Sequence, residues 1–306
     1  MSNKQLPTIQ CLNADNGQNW AMFNGDCVEV VKQMPTDSVD CILYSPPFAN
    51  VYTYSDSTRD MGNVTDAAEF VEGYRFLVDE LLRVLRPGRM CIVHCKDTVR
   101  YKGSSGRSGL VDFPGMLTRA HEQAGFQYHS RVTLWTNPVR EMQKTKAHGL
   151  LYKQLRKDSS YSRQGLPEYL VMMRKWPEDE DRASAVYEPV SHTRAGIPLD
   201  TWQEWASPVW MKWDPRDTLN VRAAREDGDE KHMCPLSLDI INRALTLWSN
   251  PGDVVLSPFG GVGSEGVGSL KLDRKFVGVE LKDSYFRRAC LNLRNEENTE
   301  QVGMFG

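Results

Sequence analysis

Asp253-Val254-Val255-Leu256-Ser257-Pro258-Phe259-Gly260-Gly261-Val262-Gly263 decides the fold. A short apolar run ending at Leu256 gives way to a glycine-rich turn, a helical stretch follows to about Leu270, and a second apolar run spans Phe276 to Val279. Strand, turn, helix and strand in that order build parallel strands, and open α/β sheets bind ligands beyond the carboxyl ends of such strands. Gly260, Gly261 and Gly263 let the backbone approach a ligand closely, and Glu280 closes the second strand, where a carboxylate can accept from both hydroxyls of a ribose. Together they outline a nucleoside pocket. Gly261, Gly263 and Gly266 also satisfy the dinucleotide fingerprint, which keeps a nicotinamide or flavin enzyme as a rival. Against it, Pro258-Phe259 separates the strand from the glycines, whereas that fingerprint follows its strand directly. Alone, the glycines read equally as a tight turn for helix packing.

Outward from this turn the same alternation recurs. Upstream, Leu236 to Trp248 has the apolar spacing of a helix; downstream, a last helix begins at Tyr285. Near the N-terminus Asp40 to Leu43 is a short apolar strand, stopped by Ser45-Pro46-Pro47. Phe70, Tyr74, Leu77, Leu81 and Leu85 recur at helical spacing over Ala67 to Leu85, and Pro87-Gly88 separates them from the strand Met90 to Val93. A helix over Pro114 to Ala124, closed by Gly125, precedes strands at Tyr128 to Trp135 and Tyr169 to Met173. The pattern predicts an α/β fold with a mostly parallel sheet. It breaks between Trp176 and Lys231, where an acidic cluster, several prolines and Trp202, Trp205, Trp210 and Trp213 show no sustained periodicity. That stretch reads as a large insertion in one domain.

Composition narrows the classes. With 306 residues, 40% of them hydrophobic and 25% charged, the chain can bury a large core. No apolar run reaches the length of a membrane span and Met1 to Gln10 lacks a secretory pattern, so a cytoplasmic protein without a membrane partner is expected. Seven scattered cysteines suit free thiols better than a disulfide framework. A net charge of -3 argues against a uniformly basic surface, yet Arg131 to Lys175 is rich in basic residues, among them Lys144, Lys146, Lys153, Arg156, Lys157 and Arg163. These suit phosphate contacts or, equally, a solvated loop. Cys91, His94 and Cys95 lie close together, but side chains alternate along a strand, so no metal site is expected there. Gly103 to Gly109 lacks the Lys-Ser or Lys-Thr of a P-loop and reads as a mobile loop.

Ser45-Pro46-Pro47-Phe48 is the second turn with chemical content. The prolines stiffen it, the Ser45 hydroxyl and Pro46 carbonyl can accept from an amino group, and Phe48 offers a face for stacking a base. In isolation a strand-ending turn with a core aromatic is the preferred explanation; beside a nucleoside pocket it reads as a catalytic clamp.

At these residues the chain resembles the β-class DNA amino-methyltransferases, which methylate adenine N6 or cytosine N4 and place the catalytic tetrapeptide before the cofactor loop. Phe23-Asn24-Gly25-Asp26, Ser38-Val39-Asp40 and Ser45 to Phe48 are similar to the family's opening, and Leu85-Arg86-Pro87-Gly88 to its helix-to-strand junction. His232-Met233-Cys234-Pro235 resembles the segment that helps hold the methionine end of S-adenosylmethionine (SAM), and Asp253 to Gly263 with Glu280 and Tyr285 the rest of the cofactor half. The family's loop usually begins with aspartate; Ser257 stands there in this chain.

The resemblance implies a Rossmann-like SAM methyltransferase fold with a mostly parallel twisted sheet and permuted motifs. One domain over residues 1–306 would hold a catalytic half at 20–140, an insertion with target recognition at 141–231 and a SAM-binding half at 232–295. Ser45, Pro46, Pro47 and Phe48 would be catalytic. Asp26, near the SAM adenine, and His232, Cys234, Pro235, Ser257, Pro258, Phe259, Gly260, Gly261, Gly263 and Glu280 would bind SAM. The partner implied is duplex DNA with a flipped target base, and a homodimer and a cognate restriction endonuclease stay open. Serine at the first tetrapeptide position favours cytosine N4 over adenine N6 by the same resemblance. Cytosine C5 chemistry is disfavoured, because no Pro-Cys dipeptide offers a nucleophile. The rivals are a catalytically silent SAM- or DNA-binding regulator and a methyltransferase acting on RNA or protein.

Overall fold

The computed structural model describes residues 9–47, 67–100, 106, 108–145, 156–158, 165–177, 189–192, 196–221, 224 and 235–303. In chain order come β1 (Asn13–Asn16), β2 (Trp20–Asn24), α1 (Cys27–Lys32), β3 (Val39–Tyr44), α2 (Ala67–Val84), β4 (Leu85–Cys95), β5 (Thr98–Arg100), β6 (Gly109–Val111) and α3 (Phe113–Ala124). There follow β7 (Gln127–Leu134), α4 (Pro138–Thr145), β8 (Glu168–Arg174), α5 (Leu199–Trp205), β9 (Val209–Trp210), α6 (Leu238–Trp248), β10 (Val254–Ser257), α7 (Ser264–Leu270), β11 (Lys275–Glu280) and α8 (Asp283–Gly303). Among the described residues one nine-stranded sheet runs β1-β2-β11-β10-β3-β4-β8-β7-β9, and β5-β6 form a separate pair.

The central strands are parallel, as the alternation predicts: β2 with β11, β11 with β10, β10 with β3, and β3 with β4. β8 runs antiparallel between β4 and β7, and β1 antiparallel to β2. The connection from β3 leads through α2 to β4 on one side, and that from β10 leads through α7 to β11 on the other. The strand order therefore reverses between β3 and β10, and the crevice beyond their carboxyl ends is the topological switch point.

Both faces of the sheet are covered, so its strands read as continuous apolar runs. Residues alternate between two cores. Cys41, Leu43, Met90, Ile92, Leu170 and Met172 pack on one side with Ile240, Ile241, Ala244 and Leu245 of α6 and Phe286, Ala289 and Leu293 of α8. Ile42, Tyr44, Cys91, Val93, Val171 and Met173 pack on the other with Phe70, Tyr74, Leu77 and Leu81 of α2 and Phe113, Leu117 and Ala120 of α3. Truncating one of the large buried side chains to alanine costs about 2–5 kcal/mol.

At the amino ends of the strands a buried charge group fixes the register. The Asp40 carboxylate pairs with Arg86 and accepts the Val254 N–H at 2.9 Å, and Arg89 bonds Asp253 at 3.1 Å. This ties β3, β4 and β10 at the end opposite the switch point.

Helix ends explain the small shifts from the expected boundaries. The chain enters α6 through Ser237, so the helix starts at Leu238 where periodicity predicts Leu236. α8 starts at Asp283, ahead of the expected Tyr285. Asp112 caps α3 by accepting from the Gly115 N–H, and Gly125, at φ 110°, ends it in the left-handed conformation. The glycine-serine loop at 103–109 lies largely outside the described residues, and its last residue, Gly109, begins β6.

Inside the stretch without periodicity, Trp210 lies in β9 and is 2% exposed, stacked on Trp248 with ring centroids 6.3 Å apart. Trp205 and Trp213 pack against the same core, while Trp202 is exposed and donates its indole N–H to His192 at 2.7 Å.

Candidate active site

β3 ends at Tyr44 and β10 at Ser257, and because the two pair in parallel, with Val255 opposite Cys41 and Leu256 opposite Ile42, their exits lie side by side. Ser45-Pro46-Pro47 leaves one and Pro258-Phe259-Gly260 the other. The aromatic rings of Tyr44 and Phe259 touch across the gap, with centroids 5.7 Å apart. The two turns, more than two hundred residues apart in sequence, thus share one edge of the sheet. Ser45 is half-buried and both prolines are buried. Phe48 lies outside the described residues.

The glycine turn is held by β11. Gly260 donates to the Val279 carbonyl at 2.7 Å and Gly261 donates to Glu280 Oε2 at 2.8 Å. The other oxygen, Oε1, accepts from the Lys282 N–H at 2.9 Å, so both carboxylate oxygens have fixed positions. Gly261 has φ 52° and open space where a Cβ would stand. Gly263, at φ 86°, precedes α7 and lies against Ala289, which a Cβ would approach to 3.2 Å. Gly266, the third glycine of the dinucleotide pattern, is a packing residue: a Cβ there would meet Leu293 at 2.5 Å and Phe276 at 2.6 Å.

Asp26 follows β2, whose Asn24 pairs with Glu280, so it reaches the same edge. Its Oδ1 accepts from the Val28 and Glu29 N–H groups at 2.9 and 3.2 Å, capping α1. Asn24 secures the corner by donating to the Glu280 and Leu281 carbonyls.

Among the described residues Ser257 Oγ and Ser264 Oγ are buried without a protein partner, two hydroxyls beside the glycine turn that a bound polar group can satisfy. Glu265, in the first turn of α7, is buried; desolvation, with a smaller contribution from Glu280, pushes its carboxyl up to about 8. Open space over Gly261, orphaned hydroxyls and a carboxylate at the strand end fit a nucleoside cofactor that carries polar groups at both ends. Pro235 is half-buried just before α6; His232 and Cys234 lie outside the described residues. So do Lys146, Lys153 and Arg163, and nothing is described of the Lys144 side chain. Arg156 and Lys157 are exposed.

His94 enters the site by a route that the sequence reading passes over. Cys91 and Cys95 point to the α2 side, as strand alternation requires, and His94 turns away from them. Its Nδ1 lies 3.1 Å from Ser45 Oγ and its Nε2 lies 3.0 Å from Glu168 Oε2. The signal that could have found it is register: Tyr44 pairs with Val93, so the next residues along each strand, Ser45 and His94, are neighbours. No cluster of three or more metal-ligating side chains occurs among the described residues, nor is any helix there long and apolar enough to cross a membrane.

The fold and this edge define an α/β protein with a crevice at its topological switch point, and the profile of the N6/N4 DNA methylase family matches residues 39–290. The chain belongs to that family. It is 26% identical over 262 residues to the type II methyltransferase M.BamHI of Bacillus amyloliquefaciens, covering 85% of this chain and 54% of that protein. It is 24% identical over 271 residues to the type II methyltransferase M.BglII of Bacillus subtilis, covering 86% and 66%. The DNA adenine methyltransferase YhdJ of Escherichia coli K12 is 22% identical over 279 residues, with 89% and 82% covered. The chain thus spans less than two thirds of the first two relatives. The fold is shared with TTHA0409 of Thermus thermophilus, solved in complex with SAM, at TM-score 0.63 and 20% identity over 90% of this chain and 95% of that one. It is shared also with the cytosine-N4-specific PvuII DNA methyltransferase, at TM-score 0.61 and 16% identity over 93% and 91%.

Proposed function

We propose that the chain transfers a methyl group from SAM to the exocyclic amine of a base in duplex DNA, cytosine N4 ahead of adenine N6. The observation that carries this reading is the side-by-side exit of the Ser45 and Ser257 turns at the switch point of a family member's sheet. SAM, when bound, supplies a sulfonium methyl group that an amine nitrogen can attack.

The residues divide the work. Glu280, fixed by two backbone N–H groups, accepts from the ribose hydroxyls, and the turn from Ser257 to Gly263 surrounds the rest of the cofactor, with Asp26 at the adenine end and the segment at 232–235 at the methionine end. An exocyclic amine is a poor nucleophile because its lone pair is delocalised into the ring. Ser45 and the Pro46 carbonyl accept its hydrogens and favour the geometry in which that pair localises. Ser45 is too weak a base to remove a proton before attack, so catalysis rests on positioning and exclusion of water, without a covalent intermediate. The target base leaves the duplex at a cost of a few kcal/mol, which stacking on Phe48 and the amine hydrogen bonds offset. Residues 141–231 carry target recognition, with Lys144, Lys146, Lys153, Arg156, Lys157 and Arg163 on phosphates. The type II relatives suggest a partner restriction endonuclease of the same specificity.

The test is to incubate pure protein with duplex DNA and isotopically labelled SAM, hydrolyse the DNA and resolve the nucleosides by mass spectrometry. N4-methylcytosine is expected. N6-methyladenine alone, the activity in the name of one relative, would reverse the choice of base. Absence of label from DNA with SAM still bound would replace the reading by a silent regulator, and label in RNA or protein would change the substrate class.

A further inference from the structure

We infer that His94 sets the polarity of the Ser45 hydroxyl, so that the site takes an amino group and refuses a carbonyl oxygen at the same position on a base. The inference rests on the methyl-transfer reading above and deepens it by assigning the substrate discrimination to a positioning residue outside the tetrapeptide.

Three strands bring the chain of groups together. Ser45 follows β3, His94 lies near the end of β4, and Glu168 opens β8, which pairs antiparallel with β4 so that Leu170 stands opposite His94. The imidazole is 10% exposed and the Glu168 side chain 18%, so neither is a mobile surface group. The distances are 3.1 Å from Ser45 Oγ to His94 Nδ1 and 3.0 Å from His94 Nε2 to Glu168 Oε2.

A carboxylate only accepts hydrogen bonds, so Nε2 carries the ring proton and donates it to Glu168. In the neutral imidazole Nδ1 is then a bare acceptor, and the Ser45 O–H is the donor placed to meet it. With its proton committed to Nδ1, Ser45 offers only lone pairs to whatever enters the site. Cytosine N4 and adenine N6 carry hydrogens for those lone pairs; uracil O4 and hypoxanthine O6 carry lone pairs of their own and would oppose them. A serine without a fixed neighbour rotates its hydroxyl to suit either partner. His94, held by Glu168, removes that choice. Deaminated bases and the carbonyls of thymine and guanine are thereby rejected at the chemical step's own contact.

The experiment compares wild type, His94→Ala and His94→Asn on duplexes carrying the recognition sequence found by mapping methylated sites. The target base is cytosine or uracil, or adenine or hypoxanthine if adenine proves to be the target, always opposite an abasic site so that pairing strength is equal. Affinities are measured with SAM bound, alongside kcat and SAM affinity. Wild type should prefer the amino base by about tenfold or more, the consequence of opposing two acceptors in a buried site. His94→Ala should cut that preference about threefold or more, leaving the share that the Pro46 carbonyl supplies as a fixed acceptor, and lower kcat at least tenfold, with SAM affinity within about twofold. His94→Asn, whose Oδ1 can take the place of Nδ1 as an acceptor, should restore much of the preference. An undiminished preference in His94→Ala would overturn the inference while leaving methyl transfer intact. If that variant does not fold, His94→Leu takes its place, and a preference in His94→Leu equal to that of His94→Asn would overturn the inference in the same way. Failure of wild type to methylate DNA would remove the reading beneath it.

Discussion

Tyr44 and Phe259 meet with their ring centroids 5.7 Å apart, each at the exit of its own strand, and this contact joins the two turns of the site. The Tyr44 hydroxyl is anchored from behind by Tyr74 and by His121 Nε2 at 3.3 Å, so the α2 and α3 layer supports the junction. Removing one ring should be felt in the cofactor turn first. Phe259→Ala is expected to weaken SAM binding about threefold to tenfold, since such an aromatic pair contributes about 0.5–1.5 kcal/mol. Titration calorimetry checks this, and unchanged affinity would place the cofactor away from Phe259.

Ser45 and Glu280 should separate binding from turnover. Ser45→Ala is expected to reduce kcat by at least about a hundredfold with SAM affinity within about twofold, the outcome that the role proposed for its hydroxyl, confined to the base, requires. Glu280→Ala should act the other way, raising the SAM dissociation constant about tenfold or more by removing acceptors for the ribose. The same assays on Phe48→Ala should follow Ser45. Loss of SAM affinity in both tetrapeptide variants would show that the pocket is misplaced.

His121 gives the fold a dependence on acid. Its Nδ1–H donates to the Leu117 carbonyl at 2.8 Å, and complete burial pushes the ring down from 6.5 to about 4. The unfolded chain takes up a proton near pH 6.5 that the folded chain refuses until about pH 4, so stability is lost as pH falls through that window. The loss is on the order of 3 kcal/mol at its fullest. Chemical denaturation at pH 7 and pH 4.5 should show a smaller drop for His121→Gln than for wild type, and equal drops would contradict the assignment.

Glu265 works in the opposite direction. Burial raises its carboxyl from 4.5 to about 8, so the folded chain keeps a proton that the unfolded chain has released. Its contribution is fully present below pH 4.5 and disappears as pH rises through about 8. Because His121 and Glu265 oppose each other between pH 4.5 and 6.5, each has to be read from its own variant. Glu265→Gln should flatten the decline in stability between pH 6 and pH 8.5, and a parallel decline in both proteins would sink the proposal.

For DNA, neutralising Lys153, Arg156 and Lys157 together should weaken binding and reduce the slope of log affinity against log salt by about 0.9 for every phosphate they engage. Binding to different sequences should weaken about equally, because phosphates carry no sequence information. An unchanged slope would leave these residues as a solvated surface.

Much of this molecule is legible along the chain, and the parts that are not share a cause. Val39–Tyr44 and Ala67–Val84 are visible because burial on both faces of a strand, or on one stripe of a helix, writes a pattern into sequence. Trp20–Asn24 escapes because five residues with alternating partial burial carry too little pattern. The antiparallel course of β8 is not encoded in its own apolar run, since Leu170 to Met173 would serve either direction. Trp210 stands in a stretch without periodicity and is recognisable as a packing residue only by its type. The Ser45 and Ser257 turns can be found from strand-ending chemistry, but their adjacency follows from the pairing of β3 with β10. His94 is the clearest case: its partners lie 49 and 74 residues away, and its two nearby cysteines suggest a different chemistry.

A crystal of the protein with a target duplex and a non-transferable SAM analogue tests most directly whether the Ser45 and Ser257 turns form one crevice for base and cofactor. The analogue is expected over Gly261 with its ribose on Glu280, and the flipped base at Ser45 with its amine about 3–3.5 Å from the atom that replaces the methyl donor. A cofactor seated elsewhere on the sheet, or a base amine that makes no contact with Ser45, would contradict this arrangement.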